Sequence, residues 1–488
     1  MGAYCTKRQG LGKLITTVAV TALLAGCSTN PATGERQFTG LMSPQSEAKI
    51  GADAHQEALQ TYGGLYQNPQ LQNYVSEIGQ RLSAYSERKD VQYKFFLLDS
   101  PVVNAFAIPG GYIYVTRGLL AYTNSEAELA GVMAHEMGHI TGRHSAERYS
   151  TGMLTQIGAT VASAAIGNSA AAQALGVGSN LFLSSYSRGQ ESEADELGVR
   201  YLSAAGYDVY GMSRFLNTLQ LETQLQSKIS GQQAAPDFFS THPNTANRVQ
   251  AAASEARKYP ENDGVVNRDR HMNLVDNMLF GDSPSQGFVS GNKFIHPQLG
   301  FAFDVPAGHR IINQPSQVLA VSNNGTALIL DMVKRGSTSN PAAYIDTVWL
   351  KDSNAPRAEA ITINGMPAAT TKYAGTLNGK SVNIQVVAIA YSPDTFYRFQ
   401  AAYPTNTPAP TVASLRDSTF SFHRVTETEK QQARPLQIDT VRAGGADTVS
   451  SLSAQMGFGN LKEERFRALN GLNANEQLIQ GQIYKIAR

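Results

Sequence analysis

Apolar positions recur at helical spacing through residues 46–62 and 71–85, and then the period shortens. Residues 93–98 read as a strand. Residues 104–108 are extended in character, Pro109-Gly110-Gly111 is turn chemistry, and residues 112–115 (Tyr-Ile-Tyr-Val) give a strong strand signal, so an apparent hairpin follows. The helical period returns at Ser125. Ser125 as N-cap with Glu128 three residues on forms a capping box, and Val132, His135, Glu136 and His139 share one face. Residues 151–185, rich in Ala, Ser and Gly, read as soluble lid-like helices rather than a membrane span, because Asn168, Gln173 and frequent Gly interrupt the apolar run. A further helix over 191–205 stops at Gly206.

Near residue 285 the character changes. Over residues 287–422, β-rich runs (300–305, 327–333, 381–390, 395–402) alternate with turn clusters and helical segments near 342–350 and 411–419, which predicts a separate α+β domain. Trp349, with Ile345 one helical turn before it, reads as core. A polar linker, 427–434, leads to the last fifty residues. The predicted fold class is α+β, with units at 46–284, 285–425 and 435–488.

Length agrees: 488 residues at roughly 150 per domain suggest about three folding units. Forty Lys+Arg against 39 Asp+Glu, with no run of like charge, leave no electrostatic case for nucleic acid. Two cysteines cannot build a thiolate-rich metal site, so any metal must be held by His and carboxylates. Residues 1–26 carry Lys7, Arg8 and Lys13 ahead of an apolar stretch over 14–25, the layout of a secretory signal peptide. Leu24-Ala25-Gly26-Cys27 resembles the bacterial lipobox. By that resemblance Cys27 becomes the first mature residue and a lipid anchor, 27–45 is a Pro/Gly/Thr-rich tether, and Ser28 directs the protein to the periplasmic side of the outer membrane of a diderm bacterium.

The candidate chemistry lies in His135-Glu136-Met137-Gly138-His139, an HExxH motif. Residues four apart on a helix project from one face, so both imidazoles reach a single zinc ion, with Glu136 beside the remaining position as general base. The metzincin extension fails: Gly142 fits at +7, but +10 is Ser145, and His144 is one residue early. His144 reads as structural. The other source of a third ligand is a later helix, where Glu191 and Asp195 share a face; Glu191 can bind metal while Asp195 accepts an N–H from a ligating His.

HEMGH, with Arg188-x-x-Glu191-x-x-x-Asp195, Ser240-Thr241-His242-Pro243 and Arg248, resembles the zinc endopeptidases typified by HtpX, Oma-type and CAAX prenyl proteases. The likeness is strongest to the periplasmic lipoprotein group that includes BepA and LoiP, and it spans about residues 40–260. The resemblance implies a mainly helical gluzincin-type domain with a small sheet, one zinc per chain, His135, His139 and Glu191 as its ligands, Glu136 as base, and Asp195 and Arg248 in support. It implies that Asn104, Ala105, Phe106 and Ala107 form an edge strand on which an extended substrate adds by main-chain hydrogen bonds. It gives His242 one of two roles: donor to the oxyanion of the intermediate, or a ligand closing zinc's fourth position. The last fifty residues resemble a βααβ LysM module, a fold that binds N-acetylglucosamine glycans; Gly444-Gly445-Ala446 interrupts its usual turn, leaving peptidoglycan binding and a purely structural role both open. The expected activity is zinc-dependent cleavage of unfolded or misassembled envelope proteins. The alternatives are a peptidoglycan-tethered binding or chaperone lipoprotein and a zinc peptidase acting on peptidoglycan cross-links.

Overall fold

Helix α4 (Glu126–Thr141) is buried along its whole length, which is how a helix behaves when other elements surround it. A computed structural model describes residues 27–165, 185–230, 238–243, 248–259, 263–338, 340–377 and 379–488. The signal peptide expected at 1–26 and most of the expected lid, 166–184, lie outside them. The chain is mixed α+β and divides into two units, one of Met1–Leu59, Gly64–Met278 and Gln437–Arg488, the other of Gln60–Gly63 and Leu279–Leu436.

In the first unit, strands β1 (Cys27–Thr29) and β2 (Arg36–Phe38) pair antiparallel, so the expected tether carries a short hairpin. Helices α1 (Pro44–Thr61) and α2 (Pro69–Ser83) follow, the second with Asn68 as its cap and Pro69 in its first turn. Strands β3 (Lys94–Leu98), β4 (Ala105–Ile108) and β5 (Tyr112–Thr116) form a sheet in the order β3-β5-β4, parallel between β3 and β5 and antiparallel between β4 and β5. The hairpin read from the sequence is therefore present.

Helix α3 (Arg117–Tyr122) leads to α4, where one detail differs from the expected capping box. The Glu128 backbone N–H donates to Ser125 Oγ at 3.2 Å, but the Glu128 carboxylate accepts from the Asn124 N–H at 2.8 Å, one residue further back. Helix α5 (His144–Ala165) begins three residues after α4 ends, and α6 (Arg188–Ala204) starts in a capping box of Ser187 and Gln190. Helices α7 (Gly211–Ser230), α8 (Phe238–Thr241), α9 (Arg248–Ala256) and α10 (Arg268–Val275) complete this stretch.

Helices α4 and α6 touch at two glycines. A Cβ on Gly138 would stand 3.1 Å from the Ala194 backbone, and one on Gly198 would stand 3.2 Å from the His135 nitrogen. Neither position has room for a side chain without displacing backbone, and this close approach sets the distance between the HExxH face and the acidic face of α6.

The C-terminal segment joins the same unit. Strand β17 (Leu436–Arg442) pairs antiparallel with β18 (Ile483–Ala487), with helices α14 (Val449–Ser453) and α15 (Lys462–Asn470) between them. Lys485 of β18 is fully buried and donates to the carbonyls of Ala121 and Thr123 at 2.5 and 2.7 Å. Arg268 bridges the Asn124 and Ile483 carbonyls, both at 3.0 Å. These contacts end one to four residues before Ser125, the cap of α4.

The second unit contains a four-stranded and a seven-stranded antiparallel sheet. The first combines β6 (Phe288–Ser290), β7 (Lys293–His296), β8 (Phe301–Asp304) and β16 (His423–Arg424). The second comprises β9 (Arg310–Gln314), β10 (Gln317–Val321), β11 (Ala327–Lys334), β12 (Glu359–Ile363), β13 (Met366–Leu377), β14 (Lys380–Ser392) and β15 (Thr395–Pro404), in the order β9-β10-β11-β15-β14-β13-β12. Helix α12 (Ala409–Phe420) joins its main core through Leu415. Helix α11 (Pro341–Tyr344) passes into a π-helical turn, Ile345–Trp349. Trp349 is half-buried against a small cluster around Ile345, with Arg398 4.8 Å over its ring. The predicted polar linker is instead helix α13 (Glu427–Gln432), opened by a capping box of Thr426 and Glu429.

Candidate metal centre

Four side-chain donors converge between α4, α6 and the end of α8. His135 and His139 lie on successive turns of α4, with their Nε2 atoms 3.1 Å apart. Glu191, in the first turn of α6, places Oε1 3.4 Å from His139 Nε2. His242 Nδ1 lies 3.0 Å from that same Oε1 and 3.2 Å from His135 Nε2. All four atoms fall within 4.8 Å of one another, and the four residues are at most 2% exposed.

These spacings test the fit to a metal. Four ligands held tetrahedrally at about 2.0–2.1 Å stand roughly 3.3 Å apart along each edge. Four of the six separations, 3.0 to 3.4 Å, are close to that figure, and no pair exceeds 4.8 Å, so the donors are near enough to share one ion. Three imidazole nitrogens and a carboxylate oxygen turned toward one point suit a cation of intermediate softness.

The surrounding groups orient these donors. His135 Nδ1 lies 2.8 Å from Asp195 Oδ1, which fixes the ring's other nitrogen toward the cluster. Arg248 of α9 grips Asp195 with two nitrogens, at 2.7 and 3.0 Å, reaches Glu191 Oε2 at 2.8 Å and donates to the His242 carbonyl at 3.4 Å. Tyr186 stacks on His139 with ring centres 3.6 Å apart, and Arg148 caps the far face of Tyr186 at 3.8 Å. Phe238 stacks on His242 at 4.6 Å.

Burial and charge act on these groups in opposite directions. Burial pushes the Glu136 carboxyl up, against the pull of His242 and His135. Burial also opposes ionisation of Glu191, yet His242 and His139 together hold its carboxyl far below the usual range. Asp195 is likewise buried, and the Arg248 guanidinium holds it down. Burial drives His139 well below the ordinary imidazole value, whereas at His135 the bond to Asp195 outweighs burial and raises it.

The structure thus brings together His135, Glu136, His139, Glu191, Asp195, His242 and Arg248. Glu136 Oε1 faces His242 Nε2 at 3.3 Å. Asn104 lies just before β4, and Ala105, Phe106 and Ala107 lie within it, in the sheet that packs on α4; all four are buried. Cys27 opens β1, outside the cluster.

Sequence reasoning missed three participants. His144, read as structural, hydrogen-bonds the candidate ligand His139 through its Nδ1 at 2.8 Å. Tyr186 carried no motif that could have marked it. Gly138, within HExxH, could have been recognised from its place between the two histidines as a point of close helix approach.

Residues 69–256 match peptidase family M48. A putative beta-barrel assembly-enhancing protease of Vibrio cholerae serotype O1 is 31% identical over 232 residues, which cover 46% of this chain and 47% of that one. The beta-barrel assembly-enhancing protease of Escherichia coli K12 is 30% identical over 227 residues, 44% of this chain and 45% of its own. The mitochondrial metalloendopeptidase OMA1 of Schizosaccharomyces pombe is 30% identical over 225 residues, 45% of this chain and 64% of its own. The chain spans about half the length of the two bacterial relatives.

Proposed function

Because residues 69–256 are a peptidase family M48 domain, we propose that this protein is a zinc metalloendopeptidase acting on unfolded or misassembled proteins of the bacterial envelope. The observation that carries the reading is the buried set of four donors within 4.8 Å of one another, with Glu136 alongside. A zinc ion held there would supply Lewis acidity for hydrolysis of a peptide bond. The chain's own residues do the remaining work. His135, His139 and Glu191 would hold the ion, Asp195 and Arg248 fix their orientation, and Glu136 would take a proton from the attacking water and return it to the leaving amine. Burial raises the proton affinity of Glu136, which suits a base.

Strand β4 closes one side of its sheet as described, and an extended peptide adding to residues 104–107 would present its backbone to α4. Those residues are buried, so substrate enters only after a rearrangement. His242 Nδ1 belongs to the donor set, which favours its reading as the ligand closing the fourth position over that of an oxyanion donor. The names of the bacterial relatives suggest substrates among β-barrel assembly intermediates. Lipidation at Cys27 would hold the protein at the periplasmic face of the outer membrane, and the βααβ tail is read as LysM-like, with peptidoglycan as its candidate ligand.

The test compares wild type with Glu136→Gln on unfolded casein, with zinc measured in both. Loss of turnover with zinc retained supports the proposal; equal turnover refutes it. His242→Ala then separates the two roles: higher activity marks a closing ligand, lower activity an oxyanion donor.

A further inference from the structure

We propose that His144 is a positioning residue for the metal centre, and that its own orientation is secured by the N-terminal hairpin through Glu193 and Asn30. This rests on the metal-site reading above. His139 must offer a lone pair at Nε2 to bind an ion, so its ring proton sits on Nδ1. The only acceptor for that proton at hydrogen-bond distance among the described contacts is His144 Nδ1, 2.8 Å away. Accepting there places the His144 proton on Nε2, which faces Glu193 Oε1 across 3.5 Å, an ion-pair contact longer than an ordinary hydrogen bond. Glu193 Oε1 in turn accepts from the Asn30 side-chain amide at 2.5 Å. With both rings neutral, a His144 proton on the nitrogen that faces Glu193 leaves Nδ1 to accept from His139, and this is the arrangement that frees His139 Nε2 for metal.

Two independent features show that the arrangement is built. Gly142 lies where a Cβ would come within 2.6 Å of His144 Nε2 and 3.0 Å of Glu193 Oε1, so this pair can approach only because residue 142 has no side chain. Arg143 then takes the left-handed conformation, φ 56°, which is unfavourable for a side chain of its size. In that conformation it bonds Glu47 Oε1 at 2.8 Å, the Met42 carbonyl at 2.8 Å and Thr39 Oγ1 at 3.2 Å, clasping the segment that follows the hairpin. Asn30 is itself pinned in the hairpin turn: its Oδ1 accepts from Ala32 N–H at 2.9 Å and its carbonyl from Gly34 N–H at 2.9 Å. It is 3% exposed and His144 is 1% exposed.

The experiment measures zinc affinity of the full-length protein by chelator competition, together with the visible spectrum of the cobalt(II)-substituted form. His144→Leu removes the acceptor and is expected to weaken zinc binding about 10- to 100-fold and to alter the cobalt bands. His144→Asn keeps an acceptor oxygen near the Nδ1 position and should restore affinity to within about threefold of wild type. Asn30→Ala should weaken binding several-fold alone and add nothing further to His144→Leu, since both act through one chain. Gly142→Ala, which forces His144 aside, carries the same expectation should His144→Leu fail to fold. Unchanged affinity in His144→Leu, no rescue by asparagine, or full additivity with Asn30→Ala overturns the proposal. The site reading fails separately: Glu191→Ala retaining wild-type zinc affinity would reject the ligand set itself.

Discussion

Replacing Lys485 by methionine tests whether the C-terminal strand β18 holds the start of the HExxH helix. The methionine keeps the length and most of the volume of the side chain but removes its donors to the Ala121 and Thr123 carbonyls. Thr123 O keeps a contact with His271 Nε2 at 3.0 Å, so Ala121 O loses more. A buried acceptor left bare costs about 1–3 kcal/mol, and the second bond contributes about 1 kcal/mol net. Removing a buried amine returns part of its desolvation energy. Burial holds Lys485 well below its ordinary pKa, which limits that return, and burial pushes nearby Glu128 up. The expected net loss is about 2–4 kcal/mol.

A two-unit chain need not melt in one step, so the informative assay is native-state amide exchange over residues 123–129. The loss converts to a roughly 30- to 700-fold drop in protection there, at about 1.4 kcal/mol per factor of ten. The pH dependence has a definite sign. Between the depressed folded pKa of Lys485 and the unfolded value near 10.4, the unfolded chain binds the extra proton, so stability rises with pH across that window and levels off above it. The methionine variant should lack that rise. Protection unchanged within threefold, or increased, would refute the coupling between β18 and α4.

Three other outcomes follow from the same contacts. Gly138→Ala puts a methyl about 3.1 Å from the Ala194 backbone, so α6 must shift by a few tenths of an ångström; a loss of about 1–3 kcal/mol in thermal unfolding and reduced zinc content are expected. Arg248→Met strips the counter-charge from Asp195 and Glu191 together and should destabilise the metal-free protein by about 3–5 kcal/mol. The loss should be smaller with zinc bound, since the ion then neutralises Glu191, and paired melts with and without zinc decide this. Chelation should lower the melting temperature and zinc should restore it, the stabilisation reaching about 4 kcal/mol at a thousandfold excess over Kd; a melting temperature insensitive to zinc would argue against the site.

The metal site was legible because its chemistry requires fixed spacings. His135 and His139 must be one helical turn apart, and Glu191 and Asp195 must share a face of their helix, so both pairs can be read from the residue numbers. His144 was not legible for a related reason. It follows the helix end, and Arg143 in the left-handed region turns it back onto His139, a reversal no helical period foretells. In the second unit, the strands read correctly were those with dense apolar runs, such as β11 and β15. Strand β9 is exposed or half-buried along its length, and β13 is rich in Ala and Thr and contains Gly375, so neither shows the alternation that marks a strand. Helix α13 reads as a linker because all six of its residues are polar; its cap, Thr426 with Glu429, is the signal available.

The donors differ in how firmly the fold holds them, and that difference orders their roles. His135 and His139 lie within a helix of 16 residues whose every side chain is buried, and Glu191 lies in a helix of 17 residues locked to it through Gly138 and Gly198. His242 instead follows α8, a single turn of four residues, and is retained by stacking on Phe238, a backbone bond to the Phe238 carbonyl at 2.8 Å and the 3.4 Å contact from Arg248. One turn of helix has little stability of its own, since nucleation is unfavourable and few bonds repay it. That turn is tied to the rest of the unit by the Phe238 N–H bond to the Val103 carbonyl and the Tyr186 N–H bond to the Thr241 carbonyl, both at 3.1 Å, whereas the other donors sit in long helices packed on one another. Of the four candidate donors His242 is the one on the shortest helix, and Glu136 faces its Nε2 at 3.3 Å, so under the proposed function His242 is the donor whose displacement would uncover Glu136.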